Sequence, residues 1–208
     1  VMTLGVYFIC VFMPVSFAAA LLEVLRRPVP KWLTWTGIVS AFCVAAYTGF
    51  LLGVVQAYPL WNNAILPVLF VVSALSAGLA ATSLVGLVTD RARFEQMWLI
   101  KKGHVILSAI EMVVLFTMLV IVGSGSPEGA ASVQALVSGE YAPMFWGGLV
   151  LLGLVAPFAI EGYPVFVTRK VETSTTSMVV SVIGEGGVLV GGFMLRLLVI
   201  LAALPVLY

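Results

Sequence analysis

Charged residues are scarce in this sequence: they make up 9% of its 208 residues, whereas hydrophobic residues make up 62%. A water-soluble domain could not bury so large an apolar share, so we predict an integral membrane protein. The net charge of +1 provides no basic surface for nucleic acid. Both cysteines, Cys10 and Cys43, lie in apolar runs without CxxC spacing. We expect no zinc site, iron–sulfur cluster or disulfide in this chain, and a buried packing role for both thiols.

Histidine is rarer still, because His104 is the only one. A single imidazole cannot provide both axial ligands of a typical membrane b-type haem, and a Met/His pair is a weaker alternative. We therefore predict no haem and no metal site in this chain. Electrons that pass through it would move directly between a cofactor on a neighbouring chain and a bound ligand.

Six apolar segments are long enough, at about 20 residues each, to cross a hydrocarbon core of about 30 Å. Small residues recur in them at spacings that allow close helix contact, as in Gly49-xxx-Gly53 and Gly187-xxx-Gly191. The predicted fold class is all-α, a polytopic membrane helical bundle with six transmembrane helices. The segments cover approximately residues 2–22, 33–57, 63–88, 97–123, 144–166 and 178–203.

Basic residues predict the topology. The connections 58–62 and 124–143 have none, and the second is a polar loop in which we expect a helical turn near residues 130–136. By the positive-inside rule the other three connections face the cytoplasm, so the Trp61 corner and the C-terminus lie outside. Nine of the ten Lys and Arg residues fall in or beside those three: Arg26, Arg27, Lys31, Arg91, Arg93, Lys101, Lys102, Arg169 and Lys170.

The fourth segment carries a polar stripe. Its members Lys101, His104, Ser108 and Glu111 recur at spacings of three or four residues, which places them on one helix face. Such groups are costly in lipid and need a partner or a wet cavity. Two interpretations stay open: the stripe passes protons, or Lys101 is an interfacial anchor and His104 a packed, hydrogen-bonded residue.

Three more ionisable residues lie in the last two segments: Glu161, Glu185 and Arg196. Glu161 stands between two prolines, which free backbone carbonyls for water or side chains. The glycines around Glu185 would permit local unwinding of the last helix. For Glu111, Glu185 and Arg196, a structural ion pair between helices competes with a role in proton transfer or ligand binding.

A short uncharged corner, Tyr58-Pro59-Leu60-Trp61-Asn62-Asn63, joins the second and third segments. Its aromatic rings and amides are typical of a membrane interface. Together with the flanking runs, it resembles the signature of the polysulfide-reductase-type membrane anchors, the NrfD/PsrC family. The residues that carry this resemblance are Tyr47–Leu52, Pro59–Asn62 and Leu66–Phe70, with Ser76–Gly78 and Gly191–Arg196 in later helices.

The resemblance implies a haem-free site for menaquinone or ubiquinone in a subunit of a respiratory oxidoreductase complex in the prokaryotic cytoplasmic membrane. Such anchors dock on their outer face to a ferredoxin-like subunit with four-iron clusters, often with a molybdopterin catalytic subunit beyond it. The six segments match the third to eighth helices of an eight-helix fold. Residues 1–57 would then be the remainder of an N-terminal four-helix bundle, and residues 58–208 a C-terminal four-helix bundle.

Quinone binding is accordingly predicted for Tyr47, Trp61, Asn62 and Arg196. Tyr47 would donate a hydrogen bond to the quinone, and Arg196 would stabilise an anionic quinone or pair with an acid. The predicted proton path from the cytoplasm comprises Lys101, His104, Ser108, Glu111, Glu161 and Glu185. The chain would not be catalytic alone. Two alternatives remain: an ion or solute transporter, which also uses buried acids and broken helices, and a passive membrane anchor.

Overall fold

The structure, a computed structural model, describes residues 2–89, 98–163, 166 and 175–206. Every regular element within these ranges is helical, and six helices are long and apolar enough to cross a membrane. The predicted fold class is therefore confirmed. Five residues on which the sequence interpretation drew lie outside the described residues: Arg91, Arg93, Pro164, Arg169 and Lys170.

The fifth span consists of two helices, a π-helix that we name π1 and a short α-helix that continues it. In π1 the backbone bonds reach back five residues, as from the Ala156 N–H to the Leu151 carbonyl. The elements in chain order are α1 (Met2–Val24), α2 (Lys31–Gly53), α3 (Ile65–Thr89), α4 (Trp98–Gly125), α5 (Pro127–Val137), π1 (Met144–Val155), α6 (Ala156–Tyr163) and α7 (Thr175–Leu201).

Local sequence explains where the first connection forms. Arg26, two residues after the end of α1, adopts a left-handed φ of 53°. The Arg27 N–H then bonds the Leu22 carbonyl and the Arg26 N–H bonds the Glu23 carbonyl, which is a Schellman motif. Pro28 follows and cannot continue the helix. The exposed basic residues Arg26, Arg27 and Lys31 therefore lie at one end of the molecule, which we name the basic end.

The opposite end, named the Trp61 end, contains the corner between α2 and α3. Helix α2 stops at Gly53, before the predicted end at residue 57, because turns occupy the chain from Val54. The Trp61 and Asn62 N–H groups both bond the Tyr58 carbonyl, and the Asn63 side chain accepts from the Ile65 N–H at the start of α3.

The long polar connection forms helix α5 at the Trp61 end. Ser126 caps it by accepting from the Gly129 N–H, and Pro127 occupies its first turn. The predicted single turn is thus an eleven-residue helix. Its buried Ser132 accepts a hydrogen bond from the Leu204 N–H, which ties α5 to the residues that follow α7.

Helices α3, α4, π1–α6 and α7 pack around one interior, α2 packs against α3, and α1 packs against α2. Glycines permit the closest crossings: a β-carbon would overlap Pro67 if added at Gly49, and a β-carbon at Gly191 would overlap Gly153. The small-residue spacing thus predicted real contacts, although Gly53 meets only the Trp61 carbonyl, 3.8 Å from an added β-carbon.

The bundle interior changes character along the membrane normal. The half near the Trp61 end is an apolar core that includes Leu69, Met118 and Leu198, each at most 1% exposed. The half near the basic end holds buried polar and ionisable side chains. A gradient of this kind confines polar chemistry to one half of the bundle.

Two sequence expectations were wrong. Cys10 is exposed on α1 and Cys43 is half-buried, because α1 contributes little to the interior of the bundle. Helix α7 continues without interruption through Glu185, so its glycines do not unwind it. Instead they serve packing, since a β-carbon at Gly187 would lie 2.5 Å from the Leu152 carbonyl oxygen.

Candidate functional site

Four ionisable side chains from three helices meet in the polar half of the bundle, and we name them the His104 cluster: Lys101, His104, Glu161 and Glu185. Each is at most 2% exposed. His104 Nδ1 lies 2.5 Å from Glu161 Oε2 and 3.4 Å from Glu185 Oε2. The Lys101 ammonium donates to the Ser181 hydroxyl at 2.7 Å and lies within electrostatic range of both carboxylates.

Helix geometry explains this convergence. His104 follows Lys101 by one turn of α4, so both face the same way. Glu161 comes one turn after Pro157 in α6, and its helix lies close to α7 because Gly184 leaves room for the Ile160 side chain, 3.5 Å from where a β-carbon would lie. The carboxyl groups of α6 and α7 therefore approach the same imidazole. Sequence spacing could indicate only the α4 part of this arrangement.

The cluster retains unused hydrogen-bonding capacity. Within the described residues, His104 Nε2, Glu161 Oε1 and both carboxyl oxygens of Glu185 meet no hydrogen-bond geometry. Two carboxylates, one imidazole and one ammonium in a closed space cannot all carry independent charges at low cost. Such a set can accept, share and release protons, which is what a proton relay requires.

A metal ion is the other species that these atoms could hold. The ligand atoms of His104, Glu161 and Glu185 all lie within 4.8 Å of one another. One imidazole and two carboxylates suit a divalent cation. The ammonium of Lys101 faces the same carboxylates, however, and its charge opposes that of a cation. The local electrostatics thus favour a shared proton over a bound metal.

The interfacial-anchor interpretation of Lys101 is wrong. Its side chain is 2% exposed and points between α4 and α7, where Ser181 accepts its hydrogen bond. Lys102, the next residue, is exposed at the basic end as an anchor should be. Two adjacent lysines that look equivalent in sequence therefore occupy opposite environments, because they project from α4 about 100° apart.

A second buried group, the Glu111–Arg196 pair, lies further from the basic end. Glu111 is 4% exposed and follows Lys101 by ten residues of α4, about 15 Å along the helix axis. Its carboxyl group faces Ser73 and Ser76 of α3 and lies within electrostatic range of Arg196. Ser108, buried one turn below Glu111, stands between the pair and the His104 cluster.

Arg196 is held on one side by its own helix and on the other by an aromatic ring. Its Nη1 donates to the Gly192 carbonyl at 2.8 Å. The guanidinium carbon lies 5.5 Å from the centroid of the Phe70 ring, a distance at which the cation and the ring attract. Arg196 therefore stands where the apolar core begins, with its charge directed towards Glu111.

The structure places the four predicted quinone-binding residues at three separate positions. Arg196 is inside the bundle, as described. Tyr47 lies between α1 and α2, where its ring packs so closely on Gly5 that a β-carbon there would overlap it. Trp61 and Asn62 lie in the corner at the Trp61 end.

The Trp61 ring packs into the end of the bundle. Its Nε1–H donates to the Val199 carbonyl at 2.7 Å, and its ring lies 4.3 Å from that of Tyr58. Because that N–H is engaged, it does not serve a quinone carbonyl oxygen in this conformation. Asn62 is exposed and, with Gln56 and Asn63, lines a polar cavity of about 370 Å³ against the end of α4.

A larger groove of about 600 Å³ runs between α4, α5 and π1. Met112, Phe116, Leu119, Trp146 and Val150 are among its lining residues. The Trp146 indole N–H donates to the Val137 carbonyl, so the groove has few free hydrogen-bond donors for a ligand. A quinone ring needs donors for its carbonyl oxygens, whereas this surface suits a hydrocarbon tail.

Sequence reasoning assigned no site role to four buried serines of the polar half: Ser73, Ser76 and Ser83 on α3, and Ser181 on α7. Their spacing of three and seven residues on α3 was a usable signal, because it places them on one helix face. Serine is common in membrane helices, however, and neutral hydroxyls do not stand out as charges do.

One protein family matches nearly the whole sequence. The family described as polysulphide reductase, NrfD, matches residues 3–207. This chain belongs to that family. No solved structure matches it.

Three curated relatives are similar to this protein over part of their length. The NrfD homolog of Haemophilus influenzae is 28% identical over 79% of this chain and 50% of that protein. The C subunit of the polysulfide reductase of Wolinella succinogenes is 32% identical over 71% of this chain and 47% of its own length. Protein NrfD of Escherichia coli is 31% identical over 86% and 54%. The chain thus spans about half the length of the curated relatives it matches.

Proposed function

We propose that this NrfD-family chain acts in the membrane subunit of a respiratory oxidoreductase complex, where it takes part in haem-free quinone or quinol binding and exchanges electrons with an iron–sulfur partner subunit. Family membership supports the proposal. So does the name of the Wolinella succinogenes relative, which designates one subunit of a reductase with several. The chain would have no catalytic activity alone.

The His104 cluster is the observation that carries the proposal. Quinone reduction takes up two protons and quinol oxidation releases two, so a membrane-embedded quinone site needs proton access. Burying two carboxylates, an imidazole and an ammonium costs folding free energy, and we expect a bundle to retain such a set only where it has a function such as proton transfer. Proton access from the basic end is provided by the polar side chains along α4 and by two acids of the neighbouring helices: Lys101, His104, Ser108, Glu111, Glu161 and Glu185.

Orientation follows from the charges at the two ends. Arg26, Arg27, Lys31 and Lys102 are exposed at the basic end, which we assign to the cytoplasm. The Trp61 end then lies outside the prokaryotic cytoplasmic membrane. Its corner and the residues after α7 are tied together by the hydrogen bond from the Val206 N–H to the Ala57 carbonyl. We propose this end as the docking surface for a ferredoxin-like subunit with four-iron clusters, and beyond it a molybdopterin subunit.

This chain provides only part of a quinone-binding site. The Tyr47 phenol can donate to one carbonyl oxygen, and a neutral ring is tolerated by the apolar helices beside it. The other predicted residues lie elsewhere, so the described residues do not supply a full set of donors in one place. When bound, menaquinone or ubiquinone would accept or release the electrons, and this chain would contribute the Tyr47 hydrogen bond and the proton route.

The transporter alternative relied on broken helices around Glu185 and on buried acids. Helix α7 is continuous at Glu185, so only the buried acids still favour a transporter. A passive anchor remains an outcome of the experiment below, since an anchor would copurify with a redox partner and yet bind no quinone.

The experiment purifies the protein with its accompanying subunits from native membranes, followed by iron analysis and steady-state quinol kinetics. We expect stoichiometric iron–sulfur absorbance and a Tyr47→Phe effect on KM of about fivefold, the equivalent of one hydrogen bond. Tyr7→Phe on the exposed face of α1 is the matched control and should change nothing.

Copurification without iron would contradict the redox assignment. Iron without any quinone response would reduce the chain to a passive anchor. Equal kinetics of Tyr47→Phe and Tyr7→Phe would remove Tyr47 from the quinone site.

A further inference from the structure

The groove between α4, α5 and π1 forms where two neighbouring helices of the bundle separate. Near the basic end α4 packs against α6, whereas towards the Trp61 end it makes little contact with π1. The gap that results has a volume of about 600 Å³. Its floor consists of buried apolar side chains that are at most 6% exposed, among them Leu115, Phe145 and Leu154.

The groove extends over one half of the membrane. Its lining residues on α4 run from Met112 to Ser124, which is about 18 Å along the helix. Met112 lies near the middle of α4, and Ser124 lies at its Trp61 end. One leaflet is about 15 Å of hydrocarbon, because the whole core is about 30 Å thick. The groove therefore has the depth of one leaflet.

Helix α5 borders the mouth of the groove. Its residues Val133 and Val137 contribute to the lining, and the Trp146 indole N–H donates to the Val137 carbonyl at 2.9 Å. Trp side chains favour the level of the lipid head groups. The mouth therefore lies at the membrane interface, and the rest of the groove extends from it into the hydrocarbon.

The dimensions suit a hydrocarbon chain better than a helix. A helix is about 10 Å wide, so a length of 18 Å fills about 1,400 Å³, and it could enter this groove only in part. A membrane-spanning helix would also continue into the other leaflet, where α4 and α6 close the gap. A chain of methylene groups about 4–5 Å wide fills on the order of 300 Å³ over the same length.

The chemistry of the lining agrees with that occupant. The rim is apolar and exposed, since Phe116 is 69% and Val120 is 52% exposed. Both side-chain donors of the lining are engaged: the Ser124 hydroxyl donates to the Val120 carbonyl at 2.8 Å, and the Trp146 indole to Val137. A quinone head would find no donor here, whereas an acyl chain needs none.

The charge at the mouth selects the kind of lipid. Residues 103–168 include the whole lining and contain no Lys or Arg. Glu140 is exposed in the short loop that joins α5 to π1. The C-terminal end of α5 adds a partial negative charge from its backbone carbonyls. An anionic head group is repelled at this position, whereas an ammonium head group is attracted.

We propose that the groove between α4, α5 and π1 binds an acyl chain of phosphatidylethanolamine, whose ammonium group lies beside Glu140. Lipid tails are as apolar as the groove, so burial of the chain alone gives little preference over the surrounding bilayer. The shape of the groove retains the chain, and the head group determines which lipid is bound. This site is separate from the proposed quinone function and does not depend on it.

The first test measures lipid binding to the intact complex by native mass spectrometry, after delipidation in mild detergent and addition of phosphatidylethanolamine. Val120→Trp places a large ring at the rim of the groove, and we expect it to weaken binding of the tightest phosphatidylethanolamine at least about tenfold. Val113→Trp is the matched control, because Val113 is 65% exposed on the same helix and does not line the groove. Equal binding in the two variants would overturn the groove as the site.

The second test concerns the head group. Glu140→Gln keeps the size of the side chain and removes its charge, so the preference for phosphatidylethanolamine over phosphatidylglycerol should fall about threefold, as for one exposed charge pair. Glu23→Gln, an exposed acid at the basic end, is the control and should leave the preference unchanged. Phosphatidylglycerol or cardiolipin that binds the wild-type complex as tightly as phosphatidylethanolamine would overturn the lipid assignment.

A cryo-electron microscopy map of the intact complex in nanodiscs that contain phosphatidylethanolamine identifies the occupant directly. We expect the density of an acyl chain between Leu119 and Val150, which line opposite sides of the groove. An empty groove, or one filled by a quinone tail, a partner helix or a second copy of this chain, would overturn the proposal. A complex without any quinone response would refute the proposed function and leave this result intact.

Discussion

Helices α1 and α2 and the four-helix bundle look alike in apolarity and differ in what they bury. In the apolar segments of α1 and α2, 6% and 11% of residues are buried, compared with 33–44% in the bundle spans. The ionisable residues of α1 and α2, Glu23 and Lys31, stand at helix ends and are exposed. Apart from Lys102, which is exposed at the basic end, the bundle spans hold their described acidic and basic residues inside. Within this chain, hydropathy identifies both kinds of helix, but only the bundle spans bring polar faces into contact.

The largest expected effect contrasts glycines of the two regions. Gly191→Val would drive a side chain into the Gly153 backbone, where α7 crosses π1, and should cost at least about 3 kcal/mol. Gly37→Val in α2 meets only Val15, 3.5 Å from its β-carbon. We expect Gly191→Val to abolish accumulation in the membrane and Gly37→Val to accumulate normally, as measured by quantitative immunoblotting.

Gly147→Val controls for the added bulk, because Gly147 lies in π1 with nothing within 4 Å of its β-carbon position. Normal accumulation of Gly191→Val would show that the bundle is no more tightly packed than α1 and α2.

The next effect compares acids. Glu161→Ala leaves His104 and Lys101 buried without one of their partners, which should cost about 3–5 kcal/mol. Glu23→Ala removes an exposed acid at the end of α1 and should change stability by less than about 0.5 kcal/mol. Thermal unfolding in one detergent measures both. Similar losses in the two variants would contradict the account of the His104 cluster.

The architecture was predictable to a large extent. Length and apolarity of the segments gave six spans, and the three-and-four spacing on α4 gave the polar stripe. The turn after α1 and the cap of α5 were not predicted, although they too are formed by residues that are neighbours in sequence. The sequence predictions succeed where a single helix decides the outcome.

The convergence of helices was not predictable. Lys101 looked like an interfacial anchor because sequence does not show that Ser181 lies opposite it. Glu185 looked like a point of unwinding because its glycines could serve packing or flexibility, and only the approach to Leu152 decides for packing. The quinone-binding role of Tyr47, Trp61, Asn62 and Arg196 remains a prediction. These residues match the family along the sequence, but a binding site requires side chains that lie close together in space.

The smallest effect concerns the tryptophans. Trp61→Phe removes the bond from the indole N–H to the Val199 carbonyl, which joins the corner to α7, and should cost about 1 kcal/mol. Trp35→Phe in α2 is the control, since Trp35 is 66% exposed. Differential scanning fluorimetry should show a lower Tm for Trp61→Phe alone. Equal shifts in the two variants would mean that the hydrogen bond contributes no more than interfacial burial does.

The most direct test of the central claim is the number of protons taken up at the basic end per electron transferred, measured in liposomes that contain the wild-type complex or its Glu185→Gln variant. Glutamine keeps the size of the side chain and removes its ability to exchange a proton. We predict that Glu185→Gln reduces proton uptake and quinone-linked turnover at least about tenfold, with unchanged iron content. Unchanged turnover with an unchanged proton-to-electron ratio would contradict it.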